Sequence, residues 1–186
     1  MPGPIDEVLA ATLPLFERAR LAFGLTGGYA VNVWGVPRVT FDVNLLVACD
    51  AGPLNAFLSL CQEEGFEVGE GVRRDAAAAI LRIALHRGGR PTHIELYPAV
   101  TPLQVSALGR LTRAPALLGH EPLPVVTAAD LILFKLLAHR PKDRVDIDNI
   151  LAVQGLPEPA YLFDWARQLG LADRLELALQ EAGLGP

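Results

Sequence analysis

The segment Phe41-Asp42-Val43-Asn44-Leu45-Leu46-Val47 constrains this chain more than any other stretch. It alternates in polarity and then becomes wholly apolar, the pattern of a strand covered on both faces at its far end. Strand side chains alternate, so Asp42 and Asn44 share one face while Val43 and Leu45 take the other. A polar pair on a buried strand has to be justified by a partner.

The rest of the chain is read around that strand. Apolar residues Val8, Leu9, Leu13, Phe16 and Leu21 recur at helical spacing, predicting a helix over 5–23 that Pro14 should kink or divide. A short extended piece over 25–28 precedes a short helix over 29–34, and residues 54–64 form another. Strands are expected over 66–68, 80–86 and 92–97, the last two joined by the Gly-rich 87–91 as a hairpin. A second hairpin is expected from 115–118 and 123–126, flanking 119–121. After Thr127 the pattern is helical only, over 128–138, 145–153, 160–169 and 172–182. Thr127 caps the first of these, with Asp130 in the acidic slot of a capping box. The expectation is an α+β fold: a mixed sheet with flanking helices over 1–126, then a C-terminal helical region over 127–186 that packs on the site.

Composition narrows the class. A chain of 186 residues that is 51% hydrophobic and 20% charged is long enough to bury about 70% of its unfolded surface without metal or disulfide staples. A net charge of −5 argues against a broad basic DNA-binding face. Cys49 and Cys61 form no C-x-x-C pair, which fits a reducing compartment. Pro2, Gly3, Pro4, Asp6 and Glu7 do not build a signal peptide, and no apolar run approaches the roughly 20 residues of a membrane span. A soluble, cytoplasmic protein is expected.

Chemistry concentrates between Thr26 and Val47. Gly27 and Gly28 open a helix, where bare amides and the helix dipole attract phosphate. Phosphate-binding amides beside a metal-binding strand are the parts needed for phosphoryl or nucleotidyl transfer. The order G-G-x-A, G-x-x-R-x-T-x-D and an apolar strand end resembles the nucleotidyltransferase superfamily with the DNA polymerase beta-type palm, especially its small bacterial branch related to AbiEii-type toxins. The resemblance implies that Gly27 and Gly28 hold a nucleoside triphosphate (NTP), with Arg38 and Thr40 in the same motif. It also implies that Asp42 is the first metal-binding carboxylate and that Glu95, in H-I-E-L-Y, is the third. Asn44 stands where it predicts a second acid. An amide lends one oxygen but cannot bridge two divalent ions as a carboxylate can. Catalysis with one or two magnesium ions and a non-catalytic, nucleotide-binding or structural descendant are therefore both open. In the catalytic case the acceptor is RNA or protein, as in a toxin with an antitoxin partner.

The tail carries a second resemblance. A helix with Lys135 runs into Arg140, Lys142, Asp143 and Asp146, matching an R-x-K-D-x-x-D turn that in the same branch closes the nucleotide site. Lys135 is expected to face the glycine pair and contact the outer phosphates, so that its loss weakens nucleotide binding with little effect on stability; Asp143 is expected to hold it in the empty site. Plainer roles compete: a glycine turn, a strand-end cap at Asp42 and Asn44, an edge position for Glu95, a snorkelling Lys135, an N-cap at Asp143, and a solvated face for Asp146 and Asp148. The histidines lack zinc spacing, although His93 shares a strand face with Glu95. Phe41, Phe57, Trp34 and Trp165 fit core positions better than a base-stacking platform.

Overall fold

The structure is a computed structural model that describes residues 4–68, 72–75, 78–87, 90–114 and 122–185, with side chains described at 7–68, 84, 94–114 and 122–185. The chain opens with α1 (Pro4–Ala19), runs through β1 (Phe23–Thr26) and passes without a loop into α2 (Gly27–Trp34). An extended stretch leads to β2 (Val43–Val47), α3 (Ala51–Glu63), β3 (Glu67–Val68), β4 (Val72–Asp75), β5 (Ala78–Arg87) and β6 (Arg90–Pro98). Next come α4 (Pro102–Gly109), β7 (Thr112–Arg113) and β8 (Pro124–Val125). Four helices finish the chain: α5 (Ala128–Ala138), α6 (Pro141–Gln154), α7 (Pro159–Gln168) and α8 (Ala172–Glu181).

The sheet runs β3-β5-β6-β2-β1-β8-β7, with β4 also paired to β5. It is mixed: β2 is parallel to β6 and β1 to β8, while the other pairs are antiparallel. All five residues of β2 are buried, as its apolar run requires. Register then builds the site. Asn44 lies opposite Thr26 of β1 on one side and opposite Glu95 of β6 on the other. The α+β class and the all-helical tail agree with the sequence.

Several details differ from the sequence reading, among them the unexpected strand β4 and an α6 that begins at Pro141 rather than 145. α1 runs through Pro14 undivided; Pro14 and Ala10, the residue whose carbonyl loses its i+4 donor, are both exposed. β2 begins at Val43, and Asp42 and Phe41 belong to the exposed stretch before it. α4 was not expected; Thr101, Pro102 and Gln104 make a capping box with proline in the first turn. Strand β7 precedes the expected 115–118, which lies outside the described residues.

One apolar core runs through both parts of the chain. In it Phe16 stacks between Phe23 at 4.2 Å and Phe57 at 4.1 Å. Two polar ties fix the tail. Trp34 Nε1 donates to the Val126 carbonyl at 2.8 Å, and Gln154 Nε2 to that of Trp34 at 2.9 Å. Buried Asp130 accepts from the Thr127 hydroxyl (2.7 Å), the Tyr161 hydroxyl (2.5 Å) and Arg110 Nε (3.4 Å), joining α4, α5 and α7. Burial and that carboxylate push the Tyr161 hydroxyl up to about 12.

Candidate nucleotide site

The site forms where β1 turns into α2. Gly27 adopts φ +61°, which glycine accepts at little cost and other residues do not. A Cβ there would stand 2.8 Å from Asn44 Cγ, and one on Gly28 would stand 2.4 Å from Thr40 Oγ1. The two glycines therefore let Asn44 and Thr40 close directly over the opening turn of α2. Thr26, at the N-cap, makes no side-chain hydrogen bond to that turn. The helix start thus keeps uncapped amides at its positive end.

Asn32 holds the next segment in place. Its side chain donates to the Arg38 carbonyl and accepts from the Arg38 amide, each at 2.9 Å. The extended stretch 38–42 then sends alternate residues opposite ways. Arg38 and Thr40 engage the site, whereas Val39 and Phe41 are 73% and 78% exposed. The core assignment of Phe41 is thereby corrected: the polar residues of this unpaired segment take the inward face, which turns the aromatic ring outward. Asp42 is exposed at the mouth, and its charge reaches Arg38.

On the sheet, Asn44 and Glu95 are both buried, and the Tyr97 hydroxyl lies 3.0 Å from Asn44 Oδ1 and 2.8 Å from Glu95 Oε2. Asn44 Nδ2 is 3.5 Å from the Asp42 carbonyl oxygen. Tyr97 escaped the sequence reading, although its i+2 spacing from Glu95 on a strand puts both on one face.

Behind this surface, α5 and α6 contribute a chain of charges. Lys135 Nζ lies 2.6 Å from Asp146 Oδ2 and 3.5 Å from Asp143 Oδ1, with all three side chains buried. Arg38 donates to Asp146 twice, at 2.6 and 2.9 Å, and Arg140 donates to Asp143 twice, at 2.6 and 3.0 Å. Burial alone would push both carboxyls up. The bonds from Arg38 and Lys135 outweigh it at Asp146, as those from Arg140 do at Asp143, and both titrate below the usual carboxylate range. The Arg38 and Arg140 guanidiniums are raised in turn by these bonds.

Two expectations change here. Asp146 is buried between two cations rather than on a solvated face, and it is nearer to Lys135 than Asp143 is. Asp143 sits one turn inside α6 and accepts from the Arg140 backbone N–H at 3.1 Å, so Arg140, not Asp143, is the N-cap. Because Lys135 faces two buried acids, its removal is now expected to cost fold stability as well. Lys142 is exposed. His139 ends α5 in the left-handed region, and the side chains of His86 and His93, with residue 120, lie outside those described.

Asp42, Asn44 and Glu95 supply hard oxygens suited to magnesium, and the missing Cβ at Gly27 leaves the Asn44 amide open toward the α2 turn. By donor chemistry these three side chains could serve one divalent ion, a neutral amide standing at the strand position that a carboxylate bridging two ions would need; no group of three or more His, Cys, Asp or Glu side chains arranged for a metal occurs among the described residues.

Neither a family model nor a curated protein matches this sequence. Solved structures do. The antibiotic-resistance factor ANT(2'')-Ia, in solution, is 13% identical over 94% of this chain and 97% of its own, with a TM-score of 0.63. An antigenic nucleotidyltransferase-like protein from Paracoccidioides brasiliensis is 18% identical over 95% of this chain and 92% of its own (TM-score 0.57). The fold is that of the nucleotidyltransferases. The lincosamide antibiotic adenylyltransferase LnuA, with lincomycin bound, covers 82% of this chain and 98% of its own at 14% identity (TM-score 0.54). Among the described residues no helix is long and apolar enough to cross a membrane.

Proposed function

We propose that this chain binds an NTP with one divalent cation above β2 and β6 and transfers its nucleotidyl group to an acceptor hydroxyl. The observation that carries the reading is the closure of Thr40 and Asn44 over the Gly27–Gly28 turn, beside Glu95 and within a nucleotidyltransferase fold. The amides of that turn receive phosphate oxygens, and the network of Arg38, Lys135 and Arg140 against Asp143 and Asp146 adds one net positive charge beside them, with Arg38 its member on the site's own loop. Asp42, Asn44 and Glu95 hold the ion, magnesium by its hard-oxygen donors. When bound, it stabilises charge developing on the phosphoryl oxygens. The acceptor oxygen bonds to the α-phosphorus as the bond to the β-phosphate breaks, pyrophosphate leaves, and the hydroxyl proton passes to water. For the acceptor we propose RNA or protein, in the manner of an AbiEii-type toxin balanced by an antitoxin.

A second reading, a nucleotide-binding protein without catalysis, is favoured by one observation: the second-acid position holds an amide within 3.0 Å of the Tyr97 hydroxyl. Incubating the protein with α-labelled NTPs, magnesium and, separately, RNA, lysate protein, an aminoglycoside and a lincosamide decides between them. Label on RNA or protein supports the proposal, and label on an antibiotic supports transfer while moving the acceptor class. Binding without label in the wild type, with label appearing in Asn44→Asp, supports the second reading.

A further inference from the structure

Of the five N–H donors of a guanidinium, Arg38 commits three: Nε and Nη2 grip the two oxygens of Asp146 at 2.6 and 2.9 Å, and Nη1 donates to the Val39 carbonyl at 3.2 Å. Each terminal nitrogen therefore keeps one N–H with no partner among the described residues. The side chain is 33% exposed, on the loop whose Thr40 closes over the α2 turn, so these two donors are open to a ligand. Asp146 fixes the direction in which they face. Its side chain is 1% exposed, and its Oδ2 also accepts from Lys135 of α5 at 2.6 Å, which anchors it. A two-pronged bond to an anchored carboxylate holds the planar guanidinium in one orientation, whereas a single bond would let it swing. On charge alone Asp146 is the wrong residue beside a phosphate site, because it repels the polyanion that the site is to hold.

From this we infer that Asp146 is a positioning residue for nucleotide binding: anchored by Lys135, it aims the two free N–H groups of Arg38 at the phosphates, and the order it gives Arg38 outweighs the repulsion that its own charge adds. The inference rests on the proposed nucleotide site and deepens it. Lys135 thereby shares in binding without touching phosphate, in agreement with its 6% exposure. The role has a sign that neither charge nor packing alone reproduces. Removing a negative charge should tighten an anion by Coulomb's law and leave it untouched if Asp146 only packs, whereas loss of the aim at Arg38 weakens it.

The test is calorimetric titration of the full chain with the magnesium complex of ATP, or of whichever of GTP, CTP and UTP the wild type binds tightest. Wild type, Arg38→Gln, Asp146→Asn and the double variant are compared, each below its own unfolding transition. Arg38→Gln should weaken binding about tenfold or more, the loss expected for a hydrogen bond to a charged group. Asp146→Asn should also weaken it, by about fivefold, and in the Arg38→Gln background the same change should leave affinity within about twofold or tighten it, because the residue through which it acts is gone. Should Asp146→Asn fail to fold, Arg38→Lys takes its place: it keeps the charge but not the fork, and should lose about fivefold. Unchanged or tighter binding in Asp146→Asn, an equal loss in both backgrounds, or full affinity in Arg38→Lys overturns the role of Asp146 while leaving the nucleotide site standing. Absence of saturable binding to the wild type overturns the site as well.

Discussion

Replacing Asp146 with asparagine removes the negative charge at the centre of the buried network while keeping its shape. Asp146 receives two bonds from Arg38 at 2.6 and 2.9 Å and one from Lys135 at 2.6 Å. The Lys135 side chain is 6% exposed, and its remaining partner, Asp143, is 3.5 Å away and already shared with Arg140. Breaking a buried pair by removing one partner costs about 3–5 kcal/mol. Arg38 is one-third exposed and regains hydration, and Lys135 keeps one acid, so the loss should fall at the low end, about 3 kcal/mol. In a domain of this size each kcal/mol moves the midpoint by about 2–4 °C, so Tm should drop by about 6–12 °C. Urea and thermal unfolding at pH 7 measure it. Arg144→Ala, which breaks an exposed pair with Glu181, is the control and should cost less than about 1 kcal/mol. A loss below about 1 kcal/mol for Asp146→Asn would refute the claim that this carboxylate locks the tail to the Arg38 loop.

Other outcomes follow from the same contacts. Asp143 and Asp146 titrate below their unfolded value of about 3.9, so their stabilisation is complete above that pH and lost as pH falls through their folded values. Tm should be nearly flat from pH 7 to 5 and fall below about pH 4, less steeply in Asp146→Asn. Phe41→Ser should change stability by less than about 0.5 kcal/mol, whereas Phe57→Ala, fully buried against Phe16, should cost about 3–5 kcal/mol by urea unfolding. Lys135→Ala should weaken nucleotide binding by about 1.5–3 kcal/mol in calorimetry, together with a measurable drop in Tm.

Much of the scaffold was legible because it rests on local pattern. The apolar run of β2 and the Thr127 cap of α5 appear directly in the residues, although the Asp130 carboxylate accepts from the Thr127 hydroxyl rather than closing a box on its backbone. α4 was legible too, in Thr101-Pro102-x-Gln104, but its short apolar run lacked the periodicity that marks a helix. Long-range pairing was the part the sequence could not show. Asn44 and Glu95 are juxtaposed only by the register of β2 on β6, and Asp146 finds Arg38 across 108 residues. Phe41 misled because an aromatic beside a buried strand normally points inward; here the site claims Arg38 and Thr40, and alternation sends the ring out.

Titration of Mg–NTP into the wild type and Gly28→Val addresses the central claim most directly, because a side chain at Gly28 meets Thr40 at the opening of α2 without touching the buried charge network. The account predicts saturable 1:1 binding in the wild type and a loss of at least tenfold in Gly28→Val, with Asp146-dependent stability retained in both. No saturable binding to the wild type at millimolar nucleotide, or equal affinity in the two proteins, would contradict it.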